Sequence, residues 1–161
     1  MIRPVNAETD AGPIAAIYNH YIKNTAITFE ETPVTSAQIC SRITDVSADY
    51  PWFVCETDGV IAGYAYASKW KQRSAYRFTA ETTVYLDHTR TGRGIGIDLY
   101  TALIDELTRR GMHVLIGCIA VPNTASERLH EKLGFKKAAH YHSVGFKFNK
   151  WIDVVDWELA L

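Results

Sequence analysis

The segment Arg90-Thr91-Gly92-Arg93-Gly94-Ile95-Gly96 stands between a β-rich run, RFTAETTVYL, and a stretch carrying Leu99, Tyr100, Leu103, Ile104 and Leu107 at helical spacing. A strand that passes into a helix through glycines excludes an all-β or an all-α architecture. It also leaves backbone N–H groups open to an anion at the positive end of the helix, so the turn reads as a pyrophosphate cradle or, more simply, as a flexible connection. A dinucleotide-binding fold places such a turn after its first strand, with an acidic residue about 20 positions on. Here the turn follows the fourth or fifth strand. Arg90 and Arg93 add charge suited to phosphates.

The rest of the chain supports the same layered reading. MIRPV forms a short strand, and Thr9 or Asp10 caps a helix bearing Ile14, Ile17, Tyr18, Tyr21 and Ile22 at helical spacing. A loop from Asn24 to Pro33 follows, and Thr35 or Ser36 opens a second helix reaching about Val46. WFVCET and VIAGYAYAS pair across Asp58-Gly59, two residues that tolerate positive φ. After the polar loop Lys69 to Ala75 and the glycine turn, Gly111 stops the third helix, and MHVLIGCIAV is a strand buried on both faces. Asn123 or Thr124 caps the last helix, with Thr124-Ala125-Ser126-Glu127 matching a capping box, Gly134 ends it, and the tail supplies two more strands. These elements predict one α/β (α+β) domain over residues 1–161: a mixed, mostly antiparallel sheet flanked by helices on both faces.

A net charge of −1 provides no general attraction to a polyanion, which argues against a nucleic-acid binder. Cys40, Cys55 and Cys118 show neither a disulfide framework nor a paired zinc motif, and read as core residues in a reducing compartment. No run approaches the roughly 18 apolar residues of a membrane span, and the N-terminus lacks the apolar stretch of a signal peptide, so a cytoplasmic protein is expected. His20, His88, His113, His140 and His142 show no ligand spacing and are assigned no chemistry; no metal is expected.

Alternation along RFTAETTVYL places Phe78, Ala80, Thr82, Val84 and Leu86 on one face and Glu81, Thr83 and Tyr85 on the other. Glu81 therefore projects toward a cleft as a candidate general base for an ammonium group, or toward solvent as an ordinary strand glutamate. Lys71, Arg73 and Tyr76 lie on the loop entering this strand. A guanidinium there suits a carboxylate, phosphinate or sulfone oxygen, although such a cluster is also common on any polar loop.

The glycine turn, the Asn123 turn downstream and Leu129-His130-Glu131-Lys132-Leu133-Gly134-Phe135 together resemble the GNAT family of N-acetyltransferases. Within it the chain is similar to the phosphinothricin and methionine sulfone acetyltransferase group. The resemblance runs through Ile17-Tyr18-Asn19-His20-Tyr21, Thr28-Phe29, Trp70-Lys71-Gln72-Arg73-Ser74-Ala75-Tyr76, Glu81-Thr82-Thr83-Val84-Tyr85 and Arg128-Leu129-His130-Glu131, nearly end to end. It implies acetyl-CoA as co-substrate, with the pyrophosphate on Arg90, Thr91, Gly92, Arg93, Gly94, Ile95 and Gly96. The pantetheine arm is expected along Val84 and Leu86, held by Asn123 and Ser126. Thr91 stands where the family usually has Arg or Gln, and Arg90 or Arg93 is expected to compensate.

The resemblance further implies Glu81 as catalytic base, His130 as a second catalytic group, and a substrate pocket of Phe29, Lys71, Arg73, Tyr76 and Tyr85. The implied substrate is a small amino-acid-like amine and the implied assembly a homodimer, serving detoxification or amino-acid metabolism. Cys118, expected on a buried strand, is not an expected nucleophile. The alternatives are a GNAT enzyme acetylating a protein N-terminus or lysine, and a non-catalytic acetyl-CoA-binding module.

Overall fold

The computed structural model describes residues 1–161. Strand β1 (Ile2–Pro4) leads into α1 (Ala7–Asn24) and α2 (Ser36–Ser47), followed by the hairpin β2 (Trp52–Thr57) and β3 (Val60–Lys69). Then come β4 (Thr79–Leu86), α3 (Ile95–Arg109), β5 (Val114–Val121), α4 (Thr124–Lys132), β6 (Lys136–Lys147) and β7 (Lys150–Ala160). The seven strands form one sheet in the order β1-β2-β3-β4-β5-β7-β6. Every pairing is antiparallel except β4 with β5. The mixed, mostly antiparallel sheet expected from the sequence is the one observed.

Helices α1 and α2 cover one face, burying Ile14, Ile22 and Ile43 against Val54 and Tyr64. Helix α3 covers the other through Leu99, Tyr100, Leu103 and Leu107, packed on Ala65, Ala67, Ala80 and Leu115. The small alanines let this helix lie close to the sheet, and that closeness sets where its N-terminus falls. Burying each large aliphatic side chain contributes roughly 1.5–3 kcal/mol.

Local details depart from the expected ones for identifiable reasons. The cap of α1 is Asn6, whose side-chain oxygen accepts the N–H groups of Glu8 and Thr9 at 3.0 and 3.2 Å. Asp10 instead turns inward to accept two hydrogen bonds from the Arg3 guanidinium at 2.8 and 3.0 Å, fastening α1 to β1. Asn123 caps α4 by accepting the Ser126 N–H at 3.2 Å. The Thr124–Glu127 box does not form, and Glu127 pairs with Lys137 at 3.1 Å. Thr35 and Gln38 do close a capping box on α2, and the Asp58-Gly59 turn has φ of 55° and 75°. No helix is long and apolar enough to cross a membrane.

The loop between α1 and α2 is tied down over the sheet. The Asn19 amide both donates to and accepts from the Val34 backbone at 2.8 Å, and Tyr18 meets the Thr28 hydroxyl at 2.7 Å. Lys147 of β6 donates to the Thr28 carbonyl at 2.8 Å. Phe29 is thereby laid on Gly145, where any Cβ would collide with its ring.

Candidate active site

Parallel pairing of β4 with β5 runs only from Thr79–Val114 to Thr82–Gly117, yet β4 continues to Leu86 and β5 to Val121. Beyond Thr82 the strands part. The opening is a cleft of about 620 Å³ bounded by both strands, the first turn of α3 and the inner face of α4. This opening explains a departure from the sequence reading: Cys118 is exposed rather than buried, because its side of β5 borders the cleft.

His130 of α4 sits at the fork. It is 3% exposed and lies over Gly117, where a Cβ would strike the imidazole, so only glycine admits the ring. Its Nδ1 is 2.8 Å from the Ser126 carbonyl, which can only accept, so the proton belongs on Nδ1. Nε2 then accepts from the Tyr100 hydroxyl at 3.0 Å, and Tyr100 meets Thr82 of β4 at 2.6 Å. Burial lowers the His130 pKa from its ordinary value and favours this neutral ring. With both nitrogens engaged, His130 ties α4, α3 and β4 together at the point where the sheet opens.

At one end of the cleft is the glycine turn. Gly94 occupies the left-handed region at φ 81°, a conformation that favours glycine, and caps α3 without a side chain. The first intrahelical bond is from the Asp98 N–H to the Gly94 carbonyl at 3.1 Å, so the N–H groups of Ile95, Gly96 and Ile97 have no helical partner. They form an anion site open to the cleft, whose wall includes Thr91, Gly92, Gly94 and Gly96. The Ile95 side chain is buried in the core, leaving only its backbone for a ligand. Arg90 is drawn aside by Asp58 and Asp87, each 3.8 Å away, whereas exposed Arg93 has no ion-pair partner. Of the two arginines expected to compensate for Thr91, Arg93 is the unengaged one. Val84, Leu86, Asn123 and Ser126 also line the cleft.

At the other end stands Glu81, with Phe29 and Tyr85 in the same wall. The Glu81 carboxyl is held above its ordinary pKa, first by burial and then by the negative charge of Asp156. Asp156 pairs with Cys118 across β5 and β7, and Cys118 lies two residues beyond the partner of Glu81, so all three project from one face. Although the residue is exposed, its sulfur is partly shielded from water in the cleft wall, and this desolvation, followed by the charge of Asp156, pushes the Cys118 thiol up to about 12, leaving it protonated and a poor nucleophile. Tyr21 donates to the Leu86 carbonyl at 2.7 Å and fixes the last residue of β4.

The sequence reading missed Asp156, Tyr21, Tyr100 and Thr82. A usable signal for Asp156 was an acid in the alternating apolar series Ile152, Val154, Asp156. Lys71, Arg73 and Tyr76 are not in the cleft wall. Lys71 lies over the Trp70 and Tyr76 rings at 4.1 and 5.3 Å, and Arg73 is exposed at the Glu81 end of β4.

A strand pair opened beside an anion-binding helix start, with a carboxylate at the far end, defines an acyl-transfer cleft. Residues 2–155 match the acetyltransferase (GNAT) domain family, and the chain belongs to that family as an acetyl-CoA-dependent N-acetyltransferase. Its group is that of the phosphinothricin and methionine sulfoximine acetyltransferases. A phosphinothricin N-acetyltransferase of Streptomyces viridochromogenes is 38% identical over 98% of this chain and 85% of its own length. An L-methionine sulfoximine/L-methionine sulfone acetyltransferase of Salmonella typhimurium is 36% identical over 96% of this chain and 91% of its own. The solved phosphinothricin acetyltransferase of Sinorhizobium meliloti, in complex with acetyl-CoA, superposes with a TM-score of 0.96 at 33% identity, covering 100% of this chain and 88% of the other.

Proposed function

We propose that the chain acetylates the α-amine of a compact amino acid or analogue with a polar tetrahedral end group, such as phosphinothricin, methionine sulfoximine or methionine sulfone. The observation that carries this reading is the continuous cleft joining the free N–H groups of α3 to the Glu81 carboxylate. Acetyl-CoA supplies an acetyl group activated as a thioester. The α3 turn holds its pyrophosphate, and Val84, Leu86, Asn123 and Ser126 hold the arm; the Asn123 carbonyl is committed to its cap, so its amide N–H groups are the available donors. Glu81 and Asp156 attract the ammonium of the acceptor to the other end.

Glu81, its pKa raised, takes the proton from that ammonium directly or through a water. The freed nitrogen then attacks the acetyl carbonyl carbon, with a backbone N–H near Tyr85 or Leu86 stabilising the oxygen's developing charge. The carbon–sulfur bond breaks, CoA leaves as its thiolate, and the second proton lost by the nitrogen neutralises that thiolate to the thiol. Phe29 and Tyr85 wall the acceptor, and Arg73, with Lys71 and Tyr76, guides its anionic end from the rim. His130 holds the fork through Tyr100 and Thr82, and its engaged nitrogens favour Glu81 as the base. The 161 residues act as one unit, in the cytoplasm and as a homodimer.

Glu81→Gln keeps the shape and removes the base. We expect kcat to fall by roughly 10²- to 10⁴-fold near neutral pH, with recovery at high pH where the substrate amine deprotonates unaided. A variant that keeps nearly full activity at pH 7 removes Glu81 from this role.

A further inference from the structure

Away from the cleft, β6 and β7 bring together a second group of chemically capable side chains. Tyr141 pairs with Val154 and Gly145 with Ile152, so His142, Ser143 and Val144 stand opposite Asp153 alone. The bulge curls around that aspartate. Ser143, at φ 54°, turns its N–H onto Asp153 Oδ1 at 2.8 Å. The other oxygen, Oδ2, faces both His140 Nε2 at 2.8 Å and His142 Nδ1 at 3.1 Å. The three potential ligand atoms lie within 4.8 Å of one another, and the two rings sit 4.2 Å apart at 30°.

We propose that His140, His142 and Asp153 form a binding site for a divalent transition-metal ion, with Zn²⁺ as its best match. Two imidazoles and one carboxylate suit zinc and its neighbours rather than magnesium or calcium, which prefer all-oxygen sites. Zinc ligands at about 2.0–2.2 Å from the metal stand roughly 3.3 Å apart in a tetrahedron. The present contacts of 2.8 and 3.1 Å therefore need to open by a few tenths of an ångström, and the two imidazole nitrogens, within 4.8 Å of each other, need to close toward the same spacing, a change that rotation of two exposed rings supplies.

Each imidazole now donates an N–H to Oδ2. On metal binding the ring proton moves to the other nitrogen, Nδ1 of His140 and Nε2 of His142, and the freed lone pair meets the ion. The Ser143 N–H fixes the carboxylate from behind, the role that outer hydrogen bonds play around metal ligands. Both rings are exposed, leaving solvent-facing coordination positions for water. The sequence shows no ligand spacing for these residues because the cluster is completed only by strand pairing. A His-x-His step on a strand places both rings on one face, and the third ligand comes from a neighbouring strand.

The test is titration of the chelator-treated full chain with ZnCl₂ at pH 7.5, followed calorimetrically and by thermal melting. One ion per chain is expected, with a micromolar or tighter Kd and a raised Tm. His140→Ala and His142→Ala should each weaken binding about tenfold or more. His88→Ala is the control, because His88 stacks on His20 at 3.6 Å elsewhere on the surface and should bind zinc as the parent does. No saturable binding, binding that persists in the His140→Ala/His142→Ala double variant, or loss in His88→Ala alone overturns the proposal. Circular dichroism of these surface variants guards against unfolding as the cause of any loss.

Discussion

Glu81 and Asp156 stand on either side of Cys118 on one sheet face, and their proximity has a measurable consequence. A base works only when deprotonated, so kcat should rise with pH through the pKa of Glu81, which lies above the ordinary 4.5. Replacing Asp156 with asparagine removes a negative neighbour and makes ionisation of Glu81 easier. The acid limb of kcat should therefore move to lower pH in Asp156→Asn, while burial still keeps it above 4.5. A limb that does not move, or moves upward, contradicts the coupling. Glu81 itself was legible in the sequence, because strand alternation separates it from the apolar face of β4. The acid at position 156 stands out in its alternating apolar series, but its placement beside Glu81 was not legible, because that depends on the register of β7 against β5, two strands far apart in the chain.

Among the elements, the β6–β7 hairpin most clearly limits what sequence pattern reveals. Trp151 and Trp157 lie in the same strand-like run and look alike in the sequence. Trp157 is 2% exposed and belongs to the core, whereas Trp151 is 68% exposed and meets the ring of Phe146, itself exposed, at 4.8 Å. With Val144 they form an exposed apolar strip toward the turn of the β6–β7 hairpin, suited to a second copy of the chain under the proposed homodimer. Light scattering at micromolar concentration should give a dimer, shifted toward monomer by Trp151→Glu. A monomeric parent protein contradicts this arrangement. The glycine turn, by contrast, was legible because its chemistry is local: Gly94 needs a left-handed φ, and a helix start needs donors for an anion. The cap of α1 was not, since Arg3 draws Asp10 away from capping.

For the whole molecule, the sequential order of strands and helices and the two-faced sheet could be read from periodicity and turn residues. The parting of β4 from β5 could not, because it arises from tertiary packing: His130 wedges over Gly117, and Tyr100 and Thr82 complete the joint. That parting creates the cleft, and the dimensions of its acceptor end decide what is acetylated. Phe29, laid over Gly145, and Tyr85 wall that end, and on the proposed reading they select a compact amino acid over the side chain of a folded protein. The most direct measurement is kcat/KM by thiol release, with acetyl-CoA saturating, for phosphinothricin, methionine sulfoximine, methionine sulfone and a lysine-containing peptide side by side. At least one of the three small substrates should exceed the peptide by about 100-fold or more, equivalent to roughly 2.7 kcal/mol of differential transition-state binding. Equal values, or a preference for the peptide, would contradict the small-substrate account and favour a protein-acetylating enzyme.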